Sequence, residues 1–182
     1  AIFWGMSQNL VAVIPALAKV NLGVTSPLMV NAMLALSILG IMVGAYVSAR
    51  KSVNSVKVNN IYTGSTTITV CAILVPVVST LSFIPNSTAL IIVSTLILIF
   101  GVGAGMMLVP LNALIQAHSA KDGLGSVLAG KNWIQNMAMI GLLLLTVLLA
   151  RSNVNSVYIL YFNALIAVVG FTVVLKRLKA IL

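Results

Sequence analysis

SVLAGKNWIQNMAMIGLLLLTVLLA, residues 126–150, carries a single charged side chain, Lys131, in 25 positions, and its second half from Ala138 to Ala150 is almost wholly apolar. A helix needs about 20 mostly apolar residues to cross roughly 30 Å of hydrocarbon, so this stretch reads as a transmembrane helix. A membrane barrel would instead show short segments alternating in polarity, which Ala138 to Ala150 does not. The expected fold class is an all-α membrane protein.

The rest of the chain follows the same pattern. Its 182 residues are 61% hydrophobic and 6% charged, with one acidic residue, Asp122; the mean hydropathy is +1.19. A soluble domain carries about 25% charged residues, so this composition cannot cover a water-facing surface. The apolar runs predict six transmembrane helices in one bundle spanning 1–182, near residues 2–22, 27–49, 62–83, 88–115, 126–150 and 157–175. Asn21 and Gly23 mark the first stop. Ser26 and Pro27 supply a cap and a first-turn proline for the second helix, and Pro85 with Asn86 closes the third.

The net charge of +9 is carried between apolar runs, not in a basic patch interleaved with aromatics, which excludes nucleic acid as a partner. Arg50, Lys51, Lys57, Lys121, Lys176, Arg177 and Lys179, seven of the ten basic residues, follow the second, fourth and sixth helices, whereas only Arg151 falls in the opposite connections. The positive-inside rule makes the first set cytoplasmic, and parity puts both termini there. Cys71 has no cysteine partner and reads as a structural thiol. The chain opens on Ala1 directly into an apolar run, without a basic start or a small-residue cleavage site, which points to further sequence upstream.

Polar residues within spans mark functional candidates, since at mid-membrane an ionisable one costs about 2.5–3.5 kcal/mol on insertion scales. At 100° per residue, Lys131, Asn132, Gln135 and Asn136 fall on an arc of about 140°, and Trp133, Ile134 and Met137 occupy the rest of the circumference. This arc either lines a substrate cavity or bonds to other helices while Lys131 snorkels to the surface. In the first helix Trp4, Gln8, Pro15 and Lys19 lie within about 60° of one another, a second stripe able to line a cavity. Asn31 stands alone in the second helix and suits a helix-to-helix hydrogen bond. On the same helix Ser37, Gly40, Gly44 and Ser48 share one face, as do Ser94, Gly101, Gly105 and Asn112 on the fourth, and close backbone approach is expected along both.

Much chemistry is excluded. GVGAG, residues 101–105, sits deep in an apolar helix and is no phosphate cradle. No His, Cys and carboxylate cluster exists to bind a metal, His118 reads as a capping or solvated histidine, and no span contains an acid to serve catalysis or carry a proton. An enzyme is not expected, nor a cofactor.

Six helices with both ends inside, a basic connection after the second and a polar fifth helix resemble the C-terminal half of a major facilitator superfamily transporter, a fold of two six-helix halves. Met106 to Leu149, with Ala1 to Gly5 and Val30 to Ala45, resembles the bacterial lysophospholipid transporter family. That likeness implies movement of lysophospholipids such as lysophosphatidylethanolamine between leaflets of the bacterial inner membrane, with an N-terminal six-helix half as partner. It implies substrate contacts at Lys131, Asn132, Gln135, Asn136, Gln8, Trp4, Asn31 and Asn112. Where the family pattern reads Gln-Asn, two residues, Glu-Asn, this chain reads Lys131, Asn132, Trp133, Ile134, Gln135, Asn136, so a cation replaces an amide and an amide an acid. Half of a drug or metabolite exporter, or a non-transporting accessory subunit, remain alternative expectations.

Overall fold

The computed structural model describes residues 1–51, 58–119 and 123–181, with the side chains at 51 and 177–181 excepted. Within them lie six helices: α1 (Ile2–Asn21), α2 (Pro27–Lys51), α3 (Val58–Thr80), α4 (Asn86–His118), α5 (Leu124–Arg151) and α6 (Ser156–Ile181). Each coincides with one of the six apolar runs. The basic residues Lys57 and Lys121, and Asp122, fall outside the described residues.

Local chemistry accounts for the ends. After α1, Gly23 takes a left-handed φ of 67°, open to a residue without a Cβ, and the Val24 amide turns back on the Ala18 carbonyl at 2.9 Å. Asn153 does the same after α5 with φ 56°, and the Val154 amide reaches the Leu149 carbonyl at 3.1 Å. Two residues on, the Asn155 carboxamide oxygen accepts the Val157 amide at 3.0 Å and caps α6. The third helix differs from expectation, starting at Val58, not Tyr62, and ending at Thr80, not Phe83. Pro85 disfavours helical conformation at Ile84, and the chain turns early through Leu81 to Ile84.

Five helices, α2 to α6, are long and apolar enough to cross a membrane. The first is not among them, because Ser7, Gln8 and Asn9 interrupt its 20 residues. It is nonetheless central, burying Phe3, Met6, Leu10, Ile14 and Leu17 in the core.

Helix packing follows a chain of neighbours, with α2 against α4, α4 against α3, α3 against α6, α6 against α1 and α1 against α5. Exchanging α1 with α4, α2 with α5 and α3 with α6 leaves this pattern unchanged. The first and last three helices therefore occupy equivalent positions, with α2 and α5 as flanks.

The flanks are unequal. A Cβ added to Gly40 would land on the Leu98 carbonyl oxygen, one on Gly44 on that of Val102, and ones on Gly101 and Gly105 on those of Ser37 and Ile41. The α2–α4 seam expected from the small residues is thus present, backbone on backbone. Ser48 extends it, donating to the Met106 carbonyl at 3.3 Å and accepting from Asn60 Nδ2 at 3.2 Å, which ties in α3. By contrast, α5 buries only Thr146. Gly125, Gly130 and Gly141 on it face open space. Outside, side chains such as Met42, Tyr46, Trp133 and Leu148 are each about half exposed or more, an apolar exterior suited to lipid or to another helical bundle.

Candidate functional site

Near the start of α1, residues of α1, α3, α4, α5 and α6 enclose a cavity of about 350 Å³. Polar or amphipathic groups on its wall are Trp4 from α1, Ser65 from α3, Asn112 from α4, and Lys131 with Gln135 from α5; Leu108, Leu111 and Phe171 are among the apolar ones. Lys131 and Gln135 reach it together because four residues advance a helix by only 40° beyond a full turn. Lys131 Nζ donates to Asn112 Oδ1 at 2.6 Å, a charge-assisted contact joining α5 to α4. Ser65 is satisfied locally, donating to the Ile61 carbonyl at 2.7 Å and lying 3.3 Å from the Met107 sulfur.

A larger space of about 460 Å³ lies near the opposite end, between α2 and α4, lined by Met29, Met33, Leu36, Leu90 and Ile91. Its only polar lining groups are Ser94 and Thr95, and Thr95 bonds within its own helix to the Ile91 carbonyl. It has nothing to orient a polar ligand, so the smaller cavity is the candidate site despite its volume.

Of the eight residues singled out from sequence, Trp4, Asn112, Lys131 and Gln135 converge on this cavity. The other four do not. Asn132 and Asn136 are exposed on the outer side of α5, because each is one residue, or 100°, beyond a cavity-lining neighbour. The arc is therefore split between cavity and exterior. Gln8, half-buried, belongs to the outward face of α1 that also carries Pro15 and Lys19. Asn31 is exposed at the beginning of α2, toward the far end of the bundle, and makes no hydrogen bond to a neighbouring helix among the described residues. His118 ends α4 with its Nδ1 3.0 Å from the Leu114 carbonyl oxygen, a local cap, and Cys71 is buried in the core.

Sequence reasoning passed over a buried polar node. Asn9 Oδ1 accepts from Thr146 Oγ1 at 2.8 Å, and Asn163 Nδ2 donates to the Met6 carbonyl at 3.2 Å, which joins α1 to both α5 and α6. The available signal was an amide inside an apolar run, which requires a partner in lipid.

Comparison of the chain with protein-family models, with curated proteins and with solved structures finds no match.

Proposed function

We propose that this chain is one six-helix half of a facilitator-type transporter of lysophospholipids in the bacterial inner membrane, and that the cavity among α1, α4 and α5 is its share of the substrate path. The observation that carries this reading is a single charged side chain, Lys131, in a cavity whose other lining side chains are apolar or neutral. A lysophospholipid has the matching two-part chemistry, an anionic phosphate on one acyl chain. Lys131 takes the phosphate, the Gln135 amide takes the glycerol and headgroup, and Trp4, Leu108 and Phe171 flank the first methylenes of the chain.

Several features support it. The cavity volume of about 350 Å³ lies at the low end of the roughly 300–1,000 Å³ of small-molecule sites, as expected of one wall of a site completed by a second bundle. The equivalence of α1–α3 and α4–α6 is that of nested three-helix repeats. With three crossings per repeat, the second enters the membrane from the opposite side. Arg50, its guanidinium 5.0 Å above the Tyr46 ring, is an interfacial anchor at the end where the cavity lies. By the positive-inside rule that end is cytoplasmic, so the cavity opens inward. Asn132, Asn136 and Gln8 then belong to surfaces that meet the N-terminal half, and rocking of one half against the other alternates access.

In the complete transporter, Lys131→Ala removes a charge-assisted contact to the phosphate, and lysophosphatidylethanolamine uptake into spheroplasts is expected to weaken about tenfold to a hundredfold in KM. Wild-type uptake at normal protein levels would remove the assignment.

A further inference from the structure

We infer that Asn112 occupies the cargo's anion position in the empty cavity: its amide oxygen holds Lys131 and latches α5 to α4, and an incoming phosphate oxygen displaces it and frees α5. The inference rests on the reading of the cavity as a lysophospholipid site.

The two helices hardly touch along their lengths, since α4 packs on α2 and α3 while α5 packs on α1. The 2.6 Å contact from Lys131 Nζ to Asn112 Oδ1 is the one side-chain hydrogen bond between them among the described residues. It crosses the cavity wall, and both residues are only half-buried, so an anion entering the cavity meets the ammonium directly. No carboxylate among the described residues competes for Lys131. An amide oxygen is a neutral acceptor and a phosphate oxygen an ionised one, so the exchange keeps the hydrogen bond and strengthens it. The rest of α5 offers little resistance to movement, with Thr146 its one buried side chain. Asn112 thus acts as a positioning residue: it presents Lys131 to the cavity and sets the affinity that cargo must exceed.

The test uses the complete transporter with Cys71→Ser and spin labels on His118→Cys and Val127→Cys, both exposed positions near the facing ends of α4 and α5. Lysophosphatidylethanolamine is expected to lengthen the distance between the labels. Asn112→Leu should give the long distance without lipid and lower the KM for uptake about tenfold, because the competing acceptor is gone. Asn112→Asp should keep the short distance and raise KM, since an ion pair is harder to displace. Lys131→Met, which cuts the latch from the other side, should give the long distance without lipid. A transporter that takes up lysophosphatidylethanolamine with no change in distance overturns the latch alone, as does an Asn112→Leu variant whose KM rises, which would make Asn112 a direct cargo ligand. Absence of uptake by the unmodified transporter overturns the substrate assignment and the latch with it.

Discussion

Buried amides in a membrane bundle have no water to fall back on, and the contact between Asn9 and Thr146 shows how one is accommodated. Thr146 Oγ1 sits 2.8 Å from Asn9 Oδ1 and also 2.8 Å from its own helix's Leu142 carbonyl, so its one hydrogen is shared between two acceptors on two helices. Both residues are largely buried, Asn9 at 1% and Thr146 at 6% exposure, and Thr146 is the one buried side chain of α5. Thr146→Val keeps the shape and deletes the bond. Interhelical hydrogen bonds in membranes contribute about 0.6 kcal/mol on average and about 1.7 at most, so the variant should lose that much in denaturant unfolding in detergent micelles. Asn9→Leu in the same background should cost less than it does alone, because the amide has already lost its partner. Additive penalties would mean the contact contributes nothing. The sequence signalled that an amide here needs a partner but not which amide: Gln8 lay on the polar stripe, whereas the neighbouring Asn9, one step of 100° around the helix, is the residue turned into the bundle.

Along whole helices, legibility depended on what the signal measures. Hydropathy reports burial in lipid or protein alike, and it located all six helices but not all their ends: α6 runs on to Ile181 past the expected 175, and α3 starts at Val58 and stops at Thr80. Glycine spacing reports backbone approach, so Gly40/Gly44 and Gly101/Gly105 identified the seam between α2 and α4. Polarity along α5 reports only that some partner is needed, which is why Lys131 and Gln135 could not be separated from Asn132 and Asn136 without the packing. The seam and α5 should answer mutation oppositely. Gly44→Ala drives a Cβ into the Val102 carbonyl and should cost about 1–3 kcal/mol of unfolding free energy, the usual penalty of overpacking. Gly141 has nothing within 4 Å of an added Cβ, so Gly141→Ala should be neutral or add up to about 1 kcal/mol through helix propensity. Equal destabilisation of both in the same unfolding assay would mean that α5 is packed as tightly as α2.

For the molecule as a whole, the exchange relation among helices makes the bareness of α5 informative. Its counterpart α2 is fastened to α4 by a backbone seam, while α5 packs on α1 alone to any extent, through contacts that include Gly5 against Ala138 and Leu142 and Asn9 against Thr146. Its outer side carries Trp133 at 66% and Ile134 at 58% exposure beside the exposed amides of Asn132 and Asn136. Apolar side chains can face lipid without penalty, but amides cannot, because acyl chains neither donate nor accept hydrogen bonds. If the proposed second half exists, this mixed face is where it must press, and the amides are what it must satisfy. Cysteines at Asn132 and Asn136, in a Cys71→Ser background, should react readily with a water-soluble maleimide in the six-helix chain alone and slowly once the N-terminal half is present. A cysteine at His118 should react at the same rate in both and be labelled from the cytoplasmic side. Equal reactivity of the α5 positions with and without the second half would leave those amides uncovered, and the two-half architecture would then have to be built on a different face of the bundle.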